Sequence, residues 1–317
     1  MADVLFVKTS SLGDVIHHMP AVTDARRQRP DARISWVVEE NYAPLVRLHP
    51  AVDEIIPVAG RRWRKVLRRA QTWREIDAFL GTMRARTYDT IIDAQGLLRS
   101  ALIARVARGP HHGYGFGSVR ETLASFLYDV RHDVARNKHA IDRNRELTAR
   151  ALGYTVGGDV DYGLRRDLTA NPSRRYALLL HGSARAEKEW PPERWVAVGR
   201  ALADGGMDVV LSWGSVAERA RSESLATAIG AAAHVADRGA LDVMAQRVAG
   251  AAIVVGLDTG LTHLAAAFRV PLVSIFVKSQ PRLTGPRGSG PMETVGDSGQ
   301  TPAADTVIAA CQRVLRA

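Results

Sequence analysis

The chain has 317 residues, 46% of them hydrophobic and 24% charged, long enough for two ordinary domains and too apolar for a disordered polypeptide. Its one cysteine, Cys311, excludes an internal disulfide framework or a cysteine metal cluster and fits a reducing compartment. The basic excess of +10, carried mostly by residues 1–168, asks for an acidic partner: nucleic acid, a phospholipid surface or a phosphorylated substrate.

The first residues, MADVLFVKTSSLGD, hold an acid at Asp3 and a short apolar run before Lys8. An export signal needs a basic head and a longer apolar core. The longest apolar run, Ala249 to Leu257, is about half of what spans a bilayer. A cytoplasmic protein without an integral span is expected.

Short β-branched or aliphatic runs occur at VLFV (4–7), ISWVV (34–38), TIID (90–93), YALLL (176–180), DVVLS (208–212), AAIVV (251–255) and LVSIF (272–276). Between them lie stretches of helical period, such as Val15 to Gln28 and Trp195 to Ala203, the latter entered through WPPE, where proline suits a first turn. A last helix is expected from Thr306 to Leu315. Such alternation predicts an α/β protein with parallel sheets. The glycine-rich stretch 153–175 breaks the pattern, so the domain boundary is placed near residue 168, giving 1–168 and 169–317. Two Rossmann-like domains whose open sheets face a central cleft form the simplest architecture, with the last helix able to pack back on the first domain. Ligands of such sheets lie beyond the carboxyl ends of the strands.

The first strand runs into Lys8-Thr-Ser-Ser-Leu-Gly-Asp14 and a helix. That is an anion-friendly place, yet it has neither phosphate-loop nor dinucleotide-fold spacing. Asp14 stands where a helix N-cap could stand; its alternative role is a general base at a strand end. After YALLL comes His181-Gly-Ser183, with Lys188 just before a helix, a site for phosphate or an ordinary surface lysine. Glu218, shortly past DVVLS, could accept bonds from ribose hydroxyls or serve as a first-turn glutamate. Asp258-Thr259-Gly260 ends a strand and starts a helix: the first two can cap it, and the glycine lets a diphosphate approach the backbone. His263 follows within the first turns, as a ligand contact or a packing residue. GRRWRKVLRRA (60–70) holds six basic residues and no acid, which makes either a solvated helix face or an anion-binding run. Asp159-Val160-Asp161 matches a metal-binding DxD but sits in the linker. The pairs His17-His18 and His111-His112 point neighbouring side chains in different directions on a helix, so no metal site is expected.

Taken together, KTSSLGDVIHHMPA (8–21), ISWVVEE (34–40), RRWRK (61–65), DAQGLLRSA (93–101), HGSARAEKEWP (181–191) and DTGLTHLAAA (258–267) resemble, in order and over nearly the whole chain, the ADP-heptose:lipopolysaccharide heptosyltransferases of GT-B fold. KTSSLGD and DTGLTH mark the wider family, while WVVEE, RRWRK and DAQGL look specific to the member that adds the first heptose. The resemblance implies inverting transfer from ADP-L-glycero-β-D-manno-heptose to the first Kdo of Kdo-lipid A, without a metal or other cofactor. It implies Asp14 as base and Lys188 as a diphosphate contact active in catalysis. It places the donor on Ser183, Lys188, Glu218, Asp258, Thr259, Gly260 and His263, and the acceptor on Ser10, Ser11, Gly13, Arg61, Arg62, Arg64, Lys65 and Arg120. A monomer at the cytoplasmic face of the anionic inner membrane, with no nucleic-acid partner, follows. Two departures stand out: Ala184 replaces a second hydroxyl residue, and Val277-Lys278 replace a small residue after the strand. The competing readings are a later-acting heptosyltransferase or other GT-B sugar transferase, and a non-enzymatic nucleic-acid or membrane-surface binder. A nicotinamide oxidoreductase lacks its glycine fingerprint here.

Overall fold

The computed structural model describes residues 2–165, 175–183, 187, 189–278 and 280–317. The first part of the chain forms β1 (Asp3–Val7), α1 (Leu12–Gln28), β2 (Arg33–Glu39), α2 (Ala43–Val46), β3 (Glu54–Val58), α3 (Gly60–Trp63), α4 (Ala70–Arg84), β4 (Thr90–Asp93), α5 (Leu98–Ala104), β5 (His111–Tyr114), β6 (Val130–His132) and α6 (Ala140–Leu152). The second forms β7 (Tyr176–Leu180), α7 (Pro192–Asp204), β8 (Asp208–Leu211), α8 (Val216–Ile229), β9 (Ala233–Val235), α9 (Leu241–Gly250), β10 (Ile253–Leu257), α10 (Gly260–Ala267), β11 (Leu272–Ile275), α11 (Pro281–Thr284), β12 (Met292–Val295) and α12 (Ala304–Arg316). Two compact units result, Met1–Gly163 and Leu164–Ala317. The boundary expected near residue 168 lies outside the described residues.

Each unit is built on a six-stranded sheet, in the orders β3-β2-β1-β4-β5-β6 and β12-β11-β10-β7-β8-β9, with every pairing parallel. Counted within its own unit, each order is the doubly wound Rossmann arrangement, in which strand order reverses between the first and fourth strands. The reversal falls at β1/β4 and at β7/β10. Crossovers leaving neighbouring strands for opposite faces open a crevice there, at the carboxyl edge. The expected α/β class and parallel sheets are therefore present.

All seven apolar runs form strands, although AAIVV is displaced to Ile253–Leu257. The strands that the sequence reading missed, β3, β5, β6, β9 and β12, occupy the outer positions of the two sheets. Central parallel strands are covered on both faces and read as unbroken apolar runs, whereas outer strands tolerate charge, histidine and even Pro57. One consequence corrects the histidine reading. His111 and His112 lie on a strand, not a helix, so they point to opposite faces. His111 contacts Asp129 and His112 contacts His132, at 3.0 Å each.

Helix α1 is buried along Val15–Ala25 despite carrying His17, His18, Thr23 and Asp24. Burial of polar groups requires partners, and α6 supplies several: Arg145 Nε donates to Asp24 Oδ2 at 2.6 Å, and Asn144 Nδ2 donates to the His17 carbonyl at 3.0 Å. Thr23 meets His49 at 3.1 Å. The helix thus anchors the first sheet with its amino end held at the carboxyl edge. In the second unit, α12 packs on α7, β11 and β12, burying Val307, Ala310, Cys311 and Val314. Burial pushes the Cys311 thiol up to about 12, so it stays protonated and unreactive.

Because Asp24 and Arg145 are both about nine-tenths or more buried, Arg145→Ala leaves a carboxylate without its countercharge. A loss of about 3–5 kcal/mol in denaturant unfolding is expected; a loss below about 1 kcal/mol would return the pair to the class of surface ion pairs.

Candidate active site

In the first unit, the loop between β1 and α1 comprises Lys8 to Ser11. Helix α1 begins at Leu12, three residues earlier than its apolar period indicates, so the N-cap is Ser11 and Asp14 lies in the first turn. Asp14 accepts through one oxygen only: Oδ2 takes the Ser11 N–H at 2.9 Å and the Ser11 hydroxyl at 3.2 Å. Among the described residues, Oδ1 has no partner. The side chain is neither buried nor fully exposed. A carboxylate with one oxygen anchored and one available is positioned and still able to accept a proton.

The neighbouring candidates divide by commitment. Ser10 is 4% exposed, and its hydroxyl accepts from Arg99 Nη2 at 2.6 Å, so its side chain is used within the fold. Gly13 lies in the first turn of α1. Arg120 is exposed on the loop after β5, beside Gly96 of the loop after β4. Below them Lys8 is 6% exposed, and its Nζ donates to the Ala94 carbonyl at 2.7 Å. Burial lowers its pKa, opposed by the charges of Asp14 and Asp93.

The basic run has counter-charges that local sequence does not reveal. Arg62 is held by Glu40 at 3.0 Å and Glu75 at 2.8 Å, and the Trp63 indole donates to the same Glu75 at 2.9 Å. Trp63 is a core residue, 9% exposed and edge-on to Phe79. Glu39 accepts the Arg61 N–H at 2.6 Å, so WVVEE braces RRWRK from the next strand. Arg61 lies over the Tyr42 ring. Arg64, Lys65, Arg68 and Arg69 remain exposed. The missing acids were present all along, on the turn after β2 and on α4.

In the second unit the candidates again gather past strand ends. Glu218 forms a capping box at the start of α8: Oε2 accepts the Gly214 and Ser215 N–H groups at 2.6 and 3.0 Å, and the Ser215 hydroxyl accepts the Glu218 N–H at 3.2 Å. This first-turn role leaves Oε1 facing Gly182, where an added Cβ would come within 2.7 Å. Glycine at this position lets the HGS loop lie close against the Glu218 carboxyl at the α8 start. Thr259 is the N-cap of α10, although its hydroxyl meets Thr262 at 3.3 Å rather than a backbone N–H. Thr262 in turn donates to the Leu257 carbonyl at 2.6 Å. The first N–H groups of α10 have no partner within the helix and point off its positive end. His263 is 4% exposed with its Nε2 3.6 Å from Asp258 Oδ1. Ser183 is half-buried after β7. Lys188 and Ala184 lie outside the described residues. Val277 is buried in the core of this unit.

Asp161 of the DxD accepts from Arg27 and from the Gly163 N–H, the latter at 2.9 Å, a structural role. Among the described residues, no group of three or more His, Cys, Asp or Glu is gathered as a metal cage, and no helix is long and apolar enough to cross a membrane. His181, assigned no role from sequence, is 1% exposed at the end of β7, with its Nε2 2.7 Å from the Ser222 hydroxyl.

Each of the two units is thus doubly wound, with polar groups gathered past its strand ends. The family model for glycosyltransferase family 9 (heptosyltransferase) matches residues 76–307. The lipopolysaccharide heptosyltransferase 1 of Pseudomonas aeruginosa is 45% identical over 289 residues, covering 90% of this chain and 81% of that protein. Solved structures of Escherichia coli heptosyltransferase WaaC, one with ADP and one with ADP-2-deoxy-2-fluoro heptose, superpose with TM-scores of 0.91 and 0.86. Both are 39% identical and cover 98% of this chain and 99% of theirs. The chain belongs to glycosyltransferase family 9, the heptosyltransferases.

Burial, aided by Arg221, lowers the His181 pKa from 6.5 to about 4. The unfolded chain therefore binds a proton that the folded chain refuses between those values. The contribution to stability is full above about 6.5 and is lost as the pH falls through about 4. NMR titration of the His181 ring should place its midpoint near 4; a midpoint near 6.5 would contradict the burial argument.

Proposed function

We propose that the chain transfers L-glycero-D-manno-heptose from ADP-heptose to the first Kdo of Kdo-lipid A, with inversion, in the assembly of the lipopolysaccharide inner core. The observation that carries the mechanism is Asp14, a carboxylate anchored through Oδ2 with Oδ1 available. In this reading Oδ1 takes the proton of the acceptor hydroxyl as that oxygen attacks the anomeric carbon. The bond to the diphosphate breaks on the opposite face, and ADP departs with the negative charge. Lys188 and the amino end of α10 meet that charge without a metal, while Glu218 Oε1 accepts from the ribose and Asp258 and His263 shape the α10 start. The likeness to proteins named heptosyltransferase 1, and to WaaC solved with a fluorinated ADP-heptose, supports this donor and this step.

Residues 1–168 are assigned to the acceptor and 169–317 to the donor. Arg61, Arg64, Lys65 and Arg120 face the acidic acceptor, while Arg62 holds the α3 segment in place. A lipid-linked acceptor also suits Leu123 and Phe126, 61% and 65% exposed. They lie three apart on a 3-10 turn and so share one side of it. With the net charge of +10, they favour a monomer working at the anionic cytoplasmic face of the inner membrane rather than on nucleic acid.

Assaying ADP release with Kdo-lipid A against an already heptosylated acceptor separates this reading from a later-acting transferase. Turnover confined to the heptosylated acceptor would refute it. Asp14→Asn should lower turnover by about 100-fold or more while leaving donor affinity intact; near-normal turnover would reduce Asp14 to a helix-capping residue. Sedimentation with anionic vesicles checks the membrane assignment: Leu123→Ser with Phe126→Ser should lower the bound fraction, and unchanged binding would remove that surface from it.

A further inference from the structure

The loop that carries Asp14 has four backbone N–H groups, those of Lys8 to Ser11, that lie past the end of β1 and before the α1 ladder. Each finds a different solution. The Lys8 N–H donates to the Val37 carbonyl at 3.3 Å, prolonging the sheet. The Ser11 N–H goes to Asp14 itself. The two between them, of Thr9 and Ser10, both donate to one atom, Oε1 of Gln95, at 3.1 Å each. Gln95 is 5% exposed and comes from the loop after β4, so its side chain bridges the two loops that flank the reversal point of the first sheet.

That bridge is itself built. Asp93 Oδ1 accepts the Gln95 and Gly96 N–H groups at 2.8 and 3.2 Å, and its Oδ2 accepts the Ser100 and Tyr128 hydroxyls at 2.8 and 2.7 Å. Gly96 sits at φ +69, a conformation that side chains other than glycine's rarely adopt. From the same loop Ala94 receives the Lys8 ammonium, and from the first turn of α5 Arg99 donates to the Ser10 hydroxyl. Every polar member of this loop is thus fixed, and its only side-chain acceptor for the Asp14 loop is Gln95 Oε1.

We propose that Gln95 is a positioning residue for the base: by holding the two N–H groups between β1 and the Ser11 cap, it fixes where Asp14 Oδ1 stands. The proposal rests on Asp14 acting as the base. Without the acceptor, two buried N–H groups seek other partners, the loop shifts, and a displacement on the scale of an ångström is enough to cost about 100-fold in rate.

The test is steady-state kinetics of the full chain for Gln95→Leu, Gln95→Glu, Asp14→Asn and the Asp14→Asn/Gln95→Leu double variant. Leucine removes the acceptor at similar size, while glutamate keeps an oxygen there. Gln95→Leu should lower kcat by about 10- to 100-fold, with the donor KM within about 2-fold of wild type, and Gln95→Glu should recover most of the loss. Because Gln95 acts through Asp14, the double variant should be no slower than Asp14→Asn alone. Should Gln95→Leu fail to fold, Gln95→Asn, which retracts the same amide, should show the same fall in kcat. Wild-type kcat in Leu or Asn, or losses that multiply in the double variant, would overturn the positioning role while a slow Asp14→Asn preserved the base. A normal Asp14→Asn would overturn both.

Discussion

In a parallel sheet every strand delivers its carboxyl end to one edge, and there the backbone N–H groups leave the ladder without partners. That constraint, repeated in two units of identical strand order, governs where the chemistry of this chain can lie. At each reversal of strand order the loose N–H groups must be met by something. In the first unit side chains meet them: Gln95 for the β1 loop, Asp93 for the β4 loop, Asp14 for the α1 cap and Glu39 for the α3 start. In the second, Glu218 closes the start of α8, while the Thr259 hydroxyl meets Thr262 rather than a backbone N–H at the α10 start.

This difference gives the two units different chemical characters. The first presents a rigid carboxylate whose surroundings are already satisfied, which is what a proton acceptor requires. The second presents the positive amino end of α10, a place that suits an anion. Two other acids of the first unit are occupied within the fold: Asp93 is fully buried and bound by four donors, and Asp161 pairs with Arg27. The same economy applies to the cations, since Arg62 and Arg145 neutralise acids within the fold.

Much of this was legible in the sequence, and the limits have physical causes. The central strands could be read because burial on both faces demands unbroken apolar runs; the outer ones could not, because one open side relaxes that demand. The apolar period places the start of α1 three residues late because Leu12, Gly13 and Asp14 belong to a first turn that is only half-buried. RRWRK looked unbalanced since its acids, Glu40 and Glu75, are distant in sequence. DAQGL was recognisable only as a likeness; that Gln95 reaches Thr9 and Ser10 depends on β4 lying beside β1, which no local pattern records. His181 carried no signal beyond its place in HGS; burial, with the nearby charge of Arg221, gives it its lowered pKa.

The proposed reaction is a single displacement, in which Asp14 deprotonates the acceptor hydroxyl as ADP leaves. The anomeric configuration of the product reports on it most directly. Starting from ADP-L-glycero-β-D-manno-heptose and Kdo-lipid A, NMR of the newly formed linkage should show the α anomer. A β linkage would mean retention, and with it a route in which Asp14 does not serve as the base of one inverting step.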